Sequence, residues 1–232
     1  MDQLEHLDKR RHIMKFSDVA PAKELIEELL WKAWKVTPSK NNFMPYQVNV
    51  LGPDKQAEKI SVWNKSKKNK KRTNEEQIPG SEFNEFEEWD DKDGTNIYFD
   101  HLTSAPYLLV ITQRVEMGNQ MYQKNVREGD YYEQMHAEAL PSIARGTSVE
   151  VGMFAANLTS FAIEAGIDAS TILCFPADIE EWGDLSWVEH PVLLLMSLGN
   201  CEESRREFMA RTEQEMHELD LKQEPESVIN WV

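Results

Sequence analysis

Apolar positions recur along the chain with two periods, and each change of period marks an element. From Pro21 to Val36, Leu25, Ile26, Leu29, Leu30 and Ala33 return at helical spacing, with Glu24, Glu27, Glu28 and Lys32 on the other side. An amphipathic helix is predicted there, with Pro21 at its first position, where a missing N–H costs nothing. Pro38 predicts its end, because the residue before a proline avoids the α region. At Tyr46 the period drops to two, as Tyr46, Val48 and Val50 alternate with Gln47 and Asn49 as far as Leu51. Further strands are predicted at Tyr107–Thr112, Thr171–Phe175 and Val192–Leu198, the second and fourth so apolar that both faces should be covered. Val149–Ala165 is apolar nearly all round and predicts a helix in the core, with Gly166 placed to cap its C-terminus. The order of elements predicts an α+β fold: a small mixed β-sheet flanked by helices around a long buried central helix.

Two stretches break this pattern. Residues 64–96 carry six cations between Lys65 and Arg72 and then nine acids between Glu75 and Asp93, which predicts a solvated excursion, a loop or frayed helix. The tail from 200 to 232 is charged until Val228, Ile229, Trp231 and Val232, and such an apolar end is expected to dock on a partner subunit. The whole of 1–232 is otherwise read as one domain.

A net charge of −16 repels nucleic-acid phosphates and anionic lipid, so neither nucleic acid nor membrane is expected as a partner. The basic run 65–72 has no interleaved aromatic to stack on bases. Met1–Arg11 is charged and shows no apolar leader, and the longest apolar run, Val192–Leu198, is too short to span a bilayer. A cytoplasmic protein is expected. Cys174 and Cys201 are too few for a disulfide framework and predict reduced core thiols. The six histidines form no i, i+4 pair, no metal-ligand motif occurs, and no metal site is expected.

Three segments remain that carry chemistry. Lys9-Arg10-Arg11-His12-Ile13-Met14-Lys15-Phe16 places adjacent cations before the first helix, suited to gripping an anion such as phosphate. Pro38-Ser39-Lys40-Asn41-Asn42-Phe43-Met44-Pro45-Tyr46-Gln47 joins that helix to the first strand. Its prolines stiffen the loop, and its Ser and Asn side chains can hold a heterocycle edge or a polyol, although the same residues also suit a plain turn. The third is Gly166-Ile167-Asp168-Ala169-Ser170-Thr171-Ile172-Leu173-Cys174-Phe175.

In this order and spacing the segments resemble the signatures of the nitroreductase-like FMN-dependent oxidoreductases, roughly R-R-S-x-R-x-[FY], P-S-x-x-N-x-Q-P-W and G-[LI]-[DG]-x-x-P-I-x-G-F. Val192–Gly199 resembles the family strand that ends in L-G before a basic phosphate contact. The resemblance implies an intertwined homodimer with FMN at its interface. Arg10 and Arg11 would meet the phosphate and the polar edge of the ring, with His12 and Met14 beside them, and Arg205 or Arg206 would be the second phosphate contact. Pro38, Ser39, Lys40 and Asn42 would reach FMN from the other subunit. Thr171, Leu173 and Cys174 would border the ring, the Leu173 N–H near flavin N5.

No protein acid or nucleophile is implied: NAD(P)H would reduce the flavin at N5, and the flavin would then reduce a nitro, quinone or flavin-type acceptor in a ping-pong cycle. Tyr131, Tyr132, Met135 and His136 are candidates for a lid, or for ordinary helix packing. The chain departs from the family pattern at His12, Met14, Met44, Tyr46, Leu173 and Cys174. Those departures leave a second reading open, a flavin-binding protein with no or specialised turnover. A third reading makes residues 65–93 a partner-binding module.

Overall fold

The computed structural model describes residues 13, 16–39, 42, 44–75, 100–114, 132–173, 175, 176 and 178–201, with side chains of 66–75, 100, 101 and 132–145 left aside. Helix α1 spans Lys23–Val36 and buries Ile26, Leu29 and Ala33, the stripe that the spacing predicts. It starts two residues later than expected. Ala22 is the N-cap, and its carbonyl accepts the first helical bonds from Leu25 and Ile26. Pro21 lies just outside the helix, where its carbonyl accepts a hydrogen bond from the Tyr107 hydroxyl at 3.1 Å.

Strand β1 (Tyr46–Leu51), helix α2 (Gln56–Glu75), the short helix α3 (Asp100–Thr103) and strand β2 (Tyr107–Gln113) follow. Then come helix α4 (Tyr132–Glu164), strand β3 (Asp168–Ile172), a 3-10 turn at Ile179–Trp182 and strand β4 (Val192–Gly199). The strands lie in the order β1-β2-β4-β3, and every pairing is antiparallel. The expected mixed sheet is thus corrected to an antiparallel one among the described residues. Each neighbouring pair of strands runs in opposite directions, and β2 and β4, apolar on both faces as predicted, hold the middle.

Two other expectations change. The central helix begins far before Val149, running through Pro141 and Gly146, residues whose propensities argue for an end. Packing of its apolar C-terminal half on α1 and the sheet overrides those local preferences. Its end is as predicted: Gly166 has φ 76°, and the N–H groups of Gly166 and Ile167 close on the carbonyls of Ile163 and Ala162 in a Schellman motif. Strand β3 lies three residues earlier than expected, because that helix cap delivers the chain directly into the sheet at Asp168.

The basic run is the continuation of α2 rather than the start of a separate loop. Lys65, expected to be solvated, is buried and forms an ion pair with Asp184. Lys59 is buried too, donating to the carbonyls of Ala105 at 2.8 Å and Pro106 at 2.9 Å, and burial pushes its pKa below the usual lysine value. Residues 76–96 and the 202–232 tail lie outside the described residues.

Both faces of the sheet are covered. On one, α1 and α4 enclose Tyr46, Leu109, Ile111, Phe154, Leu158 and Met196. On the other, Val62 of α2 and Trp182 pack with Leu108, Val110, Ile172 and Leu195. No described helix is long and apolar enough to cross a membrane.

Candidate functional site

The sheet register sorts the predicted site residues by position. Tyr46 opposes Gln113, Thr112 opposes Val192 and Leu195 opposes Ile172, so the start of β1 and the end of β3 lie at one end of the sheet. They occupy opposite edges, three strand spacings or roughly 14 Å apart.

At the β1 edge the 38–47 loop is tied down in detail. Thr37 is buried; its N–H and hydroxyl both bond the Ala33 carbonyl, the hydroxyl at 2.7 Å. Pro38 is exposed and Ser39 half-buried. The Ser39 carbonyl accepts from the Asn42 N–H at 3.1 Å, and its Oγ accepts from the Met44 N–H at 2.9 Å. Closing so tightly puts Asn42 at φ 56° and Met44 at φ 46°. Asn tolerates this left-handed region; for Met it is strained, and such strain concentrates at functional loops. Because Ser39 Oγ accepts within the loop, its O–H proton and second lone pair are what it can offer outward. Of the loop residues singled out from sequence, Lys40, Asn41 and Phe43 lie outside the described residues.

Tyr46, standing where the signature has Trp, is buried with its ring 5.3 Å from that of Phe154. Burial, reinforced by the negative charge of Glu150, raises its pKa to about 12. Beside it, a cavity of about 400 Å3 opens between α1 and β1, lined by Trp31, Trp34, Met44, Val48 and Arg114 among others. Trp31 and Trp34 lie with ring centroids 6.2 Å apart, tilted by 44°, and both are exposed. The helical period places both on the polar side of α1, a placement that sequence reasoning passed over.

The β3 edge differs. Thr171 and Leu173 follow Ala169 on the α4 face of the strand, and both are exposed, Leu173 by 72%. The opposite parity is buried: Ile172 packs with Trp182, whose indole N–H donates to the Pro176 carbonyl at 3.1 Å. Cys174 lies outside the described residues.

At the other end of this edge, where Asp168 opposes Gly199, Ile13, Phe16, Ala105 and Cys201 form a small buried cluster. The Ser17 N–H bonds the Asn200 carbonyl at 2.7 Å, and the Cys201 N–H bonds Asp168 Oδ2 at 2.8 Å. A Cβ on Gly199 would come within 2.5 Å of Pro106 and 2.9 Å of Phe16, so only glycine fits this corner. Cys201 is buried and forms no disulfide, in keeping with the expected reduced core thiol. Arg10, Arg11, His12, Met14, Arg205 and Arg206 lie outside the described residues, as does Tyr131; Tyr132, Met135 and His136 fall on α4. No group of three or more metal-ligating side chains occurs among the described residues.

Profile comparison matches residues 7–200 to the Nitroreductase family. The chain belongs to that family. Similar solved structures include a candidate NAD(P)H:FMN oxidoreductase from Staphylococcus epidermidis at 20% identity, covering 87% of this chain and 88% of that one with a TM-score of 0.57. A BluB-like flavoprotein from Clostridium difficile matches at 16% identity over 100% and 99% of the two chains, TM-score 0.57. An iodotyrosine deiodinase bound to FMN and 3-iodo-L-tyrosine matches at 18% identity over 87% and 90%, TM-score 0.55. These likenesses establish a nitroreductase-like fold. No curated protein matches the chain.

Proposed function

We propose that this chain is an FMN-dependent oxidoreductase that works as a homodimer, taking electrons from NAD(P)H and passing them to a small acceptor. Family membership supports the flavin chemistry, as do the names of its structural relatives, an NAD(P)H:FMN oxidoreductase and an FMN-bound deiodinase among them. The observation that carries the reading is the buried cluster of Ile13, Phe16, Ala105 and Cys201. Its members Ile13 and Cys201 lie at one corner of the β3 edge, and in the sequence Arg10-Arg11 come shortly before the one and Arg205-Arg206 shortly after the other, which supports a phosphate site there. From Asp168 at that corner to the exposed Leu173 the strand runs roughly 17 Å, room for an anionic tail at one end and a flat ring at the other.

The residues present fit FMN in that orientation. The paired arginines offer bidentate contacts to its phosphate. Among the described residues Thr171 and Leu173 present an exposed edge, on which the ring can lie. Bound FMN would supply the hydride chemistry. The chain's own part is to hold the phosphate, orient the ring and direct the Leu173 N–H towards it. With the 38–42 loop on the far edge of the sheet, Pro38, Ser39, Lys40 and Asn42 complete the same site only from a second copy. The exposed Trp31, Trp34, Val36, Val149 and Leu173 give such a copy apolar surface to cover.

Purified protein is expected to be yellow, or to become so with added FMN, and to bleach on addition of NADH or NADPH. Protein that takes up no FMN would overturn the reading. Uptake without bleaching by either nucleotide would leave a flavin binder in place of an oxidoreductase.

A further inference from the structure

Asn157 is out of place by composition. It sits two turns before the end of α4, in a stretch that is otherwise almost wholly apolar or small, and Asn is a poor residue for a helix interior. The structure shows what it does: its Nδ2 donates to Thr37 Oγ1 at 3.0 Å, across 120 residues of sequence. Thr37 is buried at 3% exposure, and the same hydroxyl donates to the Ala33 carbonyl at 2.7 Å. Its donor and an acceptor lone pair are thereby both used, and its orientation is determined from two sides. Pro38 follows immediately, and Thr37 is extended at φ −71° and ψ 118°, the geometry that a following proline favours. Beyond Pro38, Ser39 closes the loop through the N–H groups of Asn42 and Met44. Two sets of hydrogen bonds, Asn157 to Thr37 and Ser39 to Asn42 and Met44, are thus joined by the short covalent step through Pro38 and connect α4 to the strained backbone at Met44.

We infer that Asn157 is a positioning residue that latches the 38–44 loop to the central helix and so presents Pro38, Ser39 and Asn42 to the cofactor. This rests on the cofactor reading above only for the identity of the ligand; the latch itself rests on the bonds. An Asn amide suits the task because it is a short, neutral donor that reaches the buried Thr37 hydroxyl from a half-buried position. An aspartate carboxylate of the same length would place an acceptor against an acceptor, and a valine in place of Thr37 would keep the shape while removing the hydroxyl.

The test uses the full chain in four variants, Asn157→Ala, Asn157→Asp, Thr37→Val and Thr37→Ser, with two readouts. The first is FMN affinity by fluorescence titration. The second is hydrogen exchange at the Asn42 and Met44 amides in flavin-free protein, compared with amides of α4 itself. Asn157→Asp, Asn157→Ala and Thr37→Val are expected to weaken FMN binding about 2- to 10-fold, the range of one buried hydrogen bond. They should speed exchange at Asn42 and Met44 while leaving the Leu158–Ala162 amides protected. Thr37→Ser should behave as the unmutated protein, and Asn157→Ala combined with Thr37→Val should be no worse than the more severe single change. Wild-type exchange at Asn42 and Met44 in Asn157→Ala would overturn the latch. Faster exchange with unchanged FMN affinity would overturn its presenting role. If the unmutated protein takes up no FMN, the cofactor reading falls with that role, and the exchange data still decide the latch.

Discussion

The two edges of the sheet are built on opposite plans. The β1 edge is approached by a loop whose polar groups are engaged with one another and with α1 and α4, at the cost of a left-handed Met44. On the α4 face of the β3 edge Ala169 is buried while Thr171 and Leu173 stand open; the strand is paired to β4, packed from beneath by Trp182 and flanked at its corner by the Ile13–Cys201 cluster. A latched loop and an open shelf are complementary, yet one chain keeps them about 14 Å apart. Such a difference makes sense if the loop of one copy closes over the shelf of another. Rigidity on the loop side then lowers the entropy lost on binding, and openness on the shelf side leaves the ring accessible.

The contrast can be broken most severely from beneath the shelf. Trp182→Ala removes a fully buried indole and its hydrogen bond to Pro176. It should destabilise the fold by about 3–5 kcal/mol in urea denaturation and release the segment after β3. A loss under about 1 kcal/mol, the scale of an ordinary point substitution, would show that Trp182 does not hold this edge.

The loop side is probed through Tyr46. Its folded pKa of about 12 exceeds the ordinary value of 10.0, so above pH 10 the unfolded chain loses a proton that the native chain keeps. Stability contributed by the neutral phenol is therefore fully present below pH 10 and is lost as pH rises from 10 to 12, by about 2–3 kcal/mol in all. Tyr46→Phe should flatten that part of a stability-against-pH profile. An equal slope in the variant would assign the alkaline loss elsewhere.

Gly199→Ala is a smaller perturbation of the corner. The added methyl meets Pro106 and Phe16, and overpacking of this kind costs about 1–3 kcal/mol. If the proposed phosphate site lies at this corner, FMN affinity should fall along with the melting temperature, because the Ile13–Cys201 cluster is displaced. Unchanged affinity in a destabilised protein would detach the corner from the site. The smallest effect is expected at the surface of α1. Lys32 and Glu28 form an exposed i, i+4 pair that raises the Lys32 pKa, chiefly through the hydrogen bond to Glu28. Glu28→Gln should leave both stability and flavin content unchanged within error, and a clear loss of flavin would mean that this face takes part in the site.

Sequence periodicity located α1, β1, β2 and β4 to within two residues, because each buries a clean stripe or an unbroken apolar run against its neighbours. It misplaced β3 and the start of α4 for one shared reason. Pro141, Gly146 and the polar Asp168–Ser170 read locally as breakers, whereas tertiary packing and the Gly166 cap decide both boundaries. The candidate site stands out in the sequence as motifs, Arg10-Arg11, Pro38-Ser39 with Asn42, and Leu173, since each is a short stretch with its own chemistry. What linear order could not reveal was relation: that Asn157 reaches Thr37, that Lys65 pairs with Asp184, and that Trp31 and Trp34 flank a cavity with Met44. Those contacts join elements more than a hundred residues apart, or depend on which side of a helix meets an edge strand.

Complementation between two defective copies tests the shared site most directly. One copy carries Arg10→Ala and Arg11→Ala, the other Ser39→Ala and Asn42→Ala, each with a different affinity tag so that the mixed dimer can be isolated. If loop and shelf come from different copies, each defective homodimer is colourless and the mixed dimer regains one intact site, binding one FMN for every two chains. If both halves of the site belong to the same chain, the mixed dimer contains no intact site and stays as colourless as its parents, which would contradict a cofactor held between two copies.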